Sequence, residues 1–110
     1  MKFTTHNQAV IETSGTSLRG YVNVSHADLI KVFGIPKVWD DYKTDAEWKV
    51  CFEDGTRATI YNYKDGKNYC GKYGLEVQEI KEWHIGGFNQ DAVDRVLKVL
   101  HATDLTDFFA

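Results

Sequence analysis

A chain of 110 residues with 43% hydrophobic and 26% charged residues has the composition of one globular domain, residues 1–110, large enough to bury roughly two thirds of its unfolded surface without staples. Its net charge of −3 and pI near 5.7 weigh against duplex DNA and anionic membranes as partners, because phosphate contacts need clustered Lys and Arg. No apolar run reaches the ~18 residues of a membrane span and MKFTTHNQ lacks the apolar stretch of a secretory leader, so the expected location is the cytoplasm, with Cys51 and Cys70 as reduced thiols.

In chain order, Lys2 to Glu12 has strand-type residues, with Ala9, Val10 and Ile11 as its apolar part, and Ser14-Gly15-Thr16 is a turn signal. Leu18 to Val22 then returns as a second short strand. Ser25 is a good N-cap for a helix over about 26–33, with Asp28 placed to favour the helix dipole and Gly34 followed by Pro36 as the stop. The stretch from Ile35 to Asp45 mixes Trp39 and Tyr42 with charge and reads as a loop.

The segment AEWKVCFEDGTRATIYNY, about 46–63, is the organising element, a β-hairpin turning at Asp54-Gly55. Trp48, Val50 and Phe52 alternate with Glu47, Lys49, Cys51 and Glu53, the period of a strand with one buried face. A three-residue loop of Asp54, Gly55 and Thr56 pairs Phe52 with Ala58 and Val50 with Ile60. A two-residue turn would set Ile60 opposite Lys49 and put every side chain on the wrong face. Tyr61 and Tyr63 then share the polar face with Glu47 and Lys49. KDGKNYCGKYG follows as a long glycine-rich loop. Leu75 and Val77 resume alternation with phase shifts at Ile80 and Trp83, which a bulge or two short strands would explain. Gly86-Gly87 breaks the strand, and Asn89 caps a helix over about 90–101, with Asp91/Arg95 and Asp94/Lys98 spaced as ion pairs. The expected fold is α+β: an antiparallel sheet of four to five strands with both helices on one face and the other face exposed.

Catalytic and metal motifs are absent. The four histidines and two cysteines match no zinc spacing, and Ser14, Ser17 and Ser25 lack a nucleophile-elbow context, so neither a catalytic set nor a metal or cofactor site is assigned. Two binding surfaces emerge instead. One joins Tyr61, Tyr63, Lys49 and Glu47 with the acidic edge at Asp40 and Asp41, suited to a protein partner. The other joins His84, Gly86, Gly87, Lys64 and Tyr69, suited to a nucleotide: glycines and a helix start for phosphate, tyrosines for the base. His84 should point away from Trp83 and Ile85. The apolar tail carrying Leu105, Phe108 and Phe109 either packs on the body or meets a partner, with a homodimer among the options.

The block YKTDAEWKVCFEDGTRATIYNYKDG, the later EWHIGG and the earlier SLRGYVNVSHADLIKVFG resemble a group of small proteins encoded by tailed bacteriophages, a likeness running from about Ser17 to Leu100. The resemblance implies no chemistry and carries no catalytic residue. It implies a context, that of accessory factors binding a host protein or ribonucleoprotein, among them inhibitors of CRISPR and other defence systems. The expectation is thus a non-enzymatic, phage-encoded anti-defence binder. Its alternatives are a protein sequestering a nucleotide signal, and a small hydrolase or nuclease using His84.

Overall fold

Among the described residues, five strands and three α-helices build the α+β domain: β1 (Phe3–Thr5), β2 (Ser17–Asn23), α1 (His26–Phe33), β3 (Glu47–Phe52), β4 (Arg57–Tyr61), α2 (Lys67–Cys70), β5 (Glu82–Gly87) and α3 (Asp91–Ala102). This is a computed structural model that describes residues 1–39 and 42–103. Asp40 and Asp41, and the apolar tail with Leu105, Phe108 and Phe109, lie outside the described residues.

The strands form one antiparallel sheet in the order β1-β3-β4-β5-β2. The alternation in the hairpin sets its buried face: Trp48, Val50 and Phe52 from β3 and Ala58 and Ile60 from β4 join Trp83 and Ile85 from β5 and Val22 from β2. Both amphipathic helices add to that cluster, α1 through Leu29 and Phe33 and α3 through Val93, Val96 and Leu100. Each large apolar side chain buried there contributes roughly 1.5–3 kcal/mol. The indole N–H of Trp48 donates to the Gly34 carbonyl and that of Trp83 to the Val24 carbonyl, so neither indole carries an unmet polar group into the core.

The hairpin loop has three residues, as the pattern requires, but they are Glu53, Asp54 and Gly55. Phe52 N–H bonds the Thr56 carbonyl, and β3 pairs Val50 with Ala58 and Trp48 with Ile60. The register is therefore two residues from the expected one. That shift preserves the faces, which is why hydrophobic pattern alone does not separate the two. Backbone geometry does: Gly55 has φ 88°, the left-handed position that closes a three-residue loop, and the bond from Gly55 N–H to the Phe52 carbonyl completes the turn.

The helix ends follow their capping residues. Ser25 Oγ accepts from Asp28 N–H at 3.1 Å, and Gly34, at φ 88°, ends α1. At the start of α3 the cap position falls on Gln90, which makes no side-chain cap bond, rather than on the expected Asn89, one residue earlier, whose Oδ1 accepts from Asp91 N–H at 2.9 Å. The expected Asp91–Arg95 pair is not the one formed: Arg95 Nε reaches Asp54 Oδ2 in the hairpin loop at 2.8 Å, tying α3 to the turn. Val77–Glu79 is a turn of 3₁₀ helix rather than strand, and Ile80 after it is fully buried, which accounts for the phase shift.

The largest departure is at the other end of the chain. Only Phe3–Thr5 of the expected Lys2–Glu12 strand is strand, and β2 pairs with β5 at the far edge of the sheet. Residues 6–16 must therefore cross the sheet. They do so over the face that the helices leave bare, where Arg57 Nη1 donates to the Glu12 carbonyl at 2.9 Å and Ile11 is buried. The second face is thus half covered, not open as expected, and what remains exposed is the half nearer β2 and the β4–α2 connection.

Candidate functional site: a tyrosine and histidine face

The uncovered half of the sheet is paved with rings. Pairing of Val22 with Trp83 on the core side forces Tyr21 beside His84 on the other, and β4 sets Tyr61 on the opposite flank of His84. His84 therefore lies among three tyrosines, with ring centroids at 4.9 Å to Tyr21, 5.4 Å to Tyr61 and 5.7 Å to Tyr63. The first two contacts are edge-to-face, the arrangement that ring quadrupoles favour. Burial lowers the His84 pKa, while Asp65 and Glu82 pull weakly the other way, so the imidazole is neutral at pH 7. Burial, helped by the Glu47 carboxylate, raises the Tyr61 phenol above its ordinary value, so it stays protonated.

From Tyr63 the surface continues without a gap. The Lys64 ammonium lies 5.2 Å from the ring centroids of both Tyr63 and Tyr69, and Tyr69 lies 5.2 Å from Tyr42. Five of the six tyrosines of the chain are thus joined through His84 and Lys64. Tyr21 (54%), Tyr42 (58%), Tyr63 (42%) and Tyr69 (39%) are substantially exposed.

A buried polar node holds this surface in place. Asn62, fully buried between Tyr61 and Tyr63, accepts from Asp45 N–H (2.7 Å) and Ala46 N–H (3.1 Å). Its amide donates to Asp45 Oδ1 (2.9 Å) and Asp65 Oδ1 (3.0 Å), and Asp45 Oδ2 in turn accepts from Asn68 N–H. The loop before β3, the end of β4 and the start of α2 are pinned together, with Tyr63, Lys64 and Tyr69 on the outside. Gly66 approaches so closely that an added Cβ would sit 2.0 Å from Asp45 Oδ1.

The residues singled out from sequence divide accordingly. Tyr61, Tyr63, His84, Lys64 and Tyr69 come together as one surface, joining two candidate sites that the sequence keeps apart. Glu47 is Tyr61's partner in β3 and borders it. Lys49 leaves it: its ammonium lies 4.3 Å from the centroid of Trp39, among the residues 6–11 that cross the sheet. Gly86 and Gly87 do not form the expected cradle at a helix start. Both are buried inside β5. Gly86 leaves room for Thr59 and the Tyr61 ring, and Gly87 allows α3 to approach, since an added Cβ would meet Ala92 Cβ at 2.2 Å. The carbonyls of Gly87 and Phe88 are taken by the Arg19 guanidinium. Tyr21 and Tyr42 join this surface without having been candidates: alternation with Val22 puts Tyr21 on the outward face of β2, and the β2–β5 pairing brings it to His84.

Among the described residues no group of three His, Cys, Asp or Glu side chains converges as a metal site, and no helix is long and apolar enough to cross a membrane. Fold and site together define an α+β domain with a ring-lined sheet face. Comparisons of the chain with protein-family models, curated proteins and solved structures found no match.

Proposed function

We propose that this chain is a non-enzymatic binding protein that docks through its tyrosine and histidine face onto a component of a bacterial host and blocks it, as a phage-encoded anti-defence inhibitor would. The observation that carries the binding reading is the continuous surface from Tyr21 through His84 and Tyr63 to Tyr69 and Tyr42. Tyrosine supplies large, rigid contact area with few rotamers to freeze, and it recurs at the centres of interfaces for that reason. Here the rings stand on a sheet and on a loop locked by Asn62, so little order has to be imposed on binding. The phage and host setting rests on the resemblance in sequence alone.

The test is affinity purification of the tagged chain from a bacterial lysate, in parallel with Tyr63→Ala and with charge reversal at Asp40, Asp41 and Glu47. A stoichiometric partner lost on Tyr63→Ala supports the face. A partner retained by Tyr63→Ala and by a Tyr21→Ala/Tyr42→Ala variant would remove it.

A further inference from the structure

The lysines of this surface are placed in an unusual way. Lys64 is the one non-glycine residue among those described with positive φ, at 63°. A lysine in the left-handed region is disfavoured by its Cβ, and such outliers concentrate where function holds them. Lys64 is held on both sides: its N–H donates to the Lys43 carbonyl at 2.8 Å, and its carbonyl accepts from Cys70 Sγ at 3.2 Å. The result is an ammonium set between two tyrosine rings. Asp65, the carboxylate next in the chain, is turned inward to Asn62, and among the described residues no carboxylate forms a salt bridge with Lys64. Farther along the chain the Lys72 ammonium lies 5.2 Å from the centroid of a single ring, that of Tyr73.

We propose that the track from Tyr42 through Tyr69, Lys64 and Tyr63 to the His84 cluster binds single-stranded nucleic acid, with nucleobases stacked on the tyrosines and a phosphate on the Lys64 ammonium. This rests on the tyrosine face being the binding surface and names the chemistry of what it meets. Two ring pairs, Tyr42–Tyr69 at 5.2 Å and Tyr63–His84 at 5.7 Å, with the Lys64 ammonium between them at 5.2 Å from Tyr69 and from Tyr63, suit a strand whose bases and phosphates alternate. A single base would use one or two of these rings, so the length of the track favours a strand over a free nucleotide. The acidic chain as a whole holds few phosphates, so stacking supplies most of the affinity and sequence preference is weak.

Fluorescence anisotropy with labelled eight-nucleotide dT and rU strands, and AMP and ATP as competitors, tests this in the full chain. The expected result is binding that Tyr63→Ala weakens roughly ten- to a hundredfold. Log affinity should fall with log salt at a slope of about −0.7 per phosphate held, and Lys64→Gly, which suits the backbone there, should reduce that slope by about 0.7. Competition by AMP at the same concentration as the strand, with the same loss in both variants, overturns the strand and assigns the base-and-phosphate chemistry to a free nucleotide. Strand binding unchanged in both variants overturns the proposal. So does no binding of strand or nucleotide at 100 µM-scale protein while a protein partner from nuclease-treated lysate is still lost on Tyr63→Ala; that outcome leaves the binding face standing. If no partner of any kind responds to Tyr63→Ala, both readings fall.

Discussion

Replacing Asn62 by alanine tests whether the tyrosine surface is held by one buried side chain. The substitution deletes two bonds to the N–H groups of Asp45 and Ala46 and two to the carboxylates of Asp45 and Asp65. Each neutral bond is worth about 1 kcal/mol net and each bond to a charged group about 1.5–3 kcal/mol, so the gross loss is about 5 kcal/mol or more. Water can reach the half-buried carboxylates and recover part of it, leaving an expected cost of about 3 kcal/mol, a large share of the ~5–15 kcal/mol that stabilises a domain. Urea denaturation followed by tryptophan fluorescence should show a lower midpoint with an unchanged slope, and a fall in Tm of roughly 10 °C or more. Hydrogen exchange at the Asp45 and Ala46 amides should accelerate beyond the global change. Asn68→Ala, which loses the single side-chain bond to the Thr44 carbonyl, is the control and should cost about 1 kcal/mol. An Asn62→Ala protein within 1 kcal/mol of the parent would refute the account.

Other outcomes follow from the same geometry. Gly87→Ala places a methyl group against Ala92 and should destabilise by about 2–3 kcal/mol, read by chemical denaturation; a neutral result would mean that α3 does not pack as closely as described. Lys64→Gly should raise stability slightly, by about 0.5 kcal/mol, because relief of the left-handed backbone outweighs the added freedom of the unfolded glycine; a loss of stability would remove the strain argument. Burial lowers the pKa of His26 and of His84, so the unfolded chain binds protons more readily than the folded one. Their contribution is complete above about pH 6.5 and is lost as pH falls through the lower folded values, so Tm should drop between pH 7 and 5. A His26→Gln/His84→Gln protein should show a flatter profile, and an unchanged slope would assign the effect to other groups. Asp54, held down to about 2 by Arg95 and the Thr56 amide, loses its contribution only in strong acid, as pH falls below about 3.8 toward 2.

Much of the fold was legible because local patterns coincide with tertiary demands. Trp48, Val50 and Phe52 alternate, and they line the core; Ser25 and Gly34 bracket α1, and they cap it. The site was legible only in pieces. Tyr61 and Tyr63 read as neighbours on one strand, and His84 read as outward-facing, yet their meeting depends on β4 pairing with β5, which no short-range signal encodes. Gly86-Gly87 misled for a related reason. Two glycines before a helix suit an anion, a turn or close packing equally well in sequence, and here it is packing against Thr59, Tyr61 and Ala92 that requires them. Lys49 shared a face with Tyr61 as expected, but the chain crossing that face drew it to Trp39.

That crossing also bears on the order in which the domain can assemble. Residues 3–23 are synthesised before either of their partner strands, since β1 pairs with β3 and β2 with β5. The β3–β4 hairpin closes a short loop and can form by itself early, whereas the two edges close much longer ones at greater entropic cost. The segment over 6–16 runs from one edge of the sheet to the other, so its path is fixed at both ends only when both edge pairings are made. The same pairing of β2 with β5 that sets Val22 beside Trp83 in the core sets Tyr21 beside His84, so this part of the ring-lined face closes together with the core.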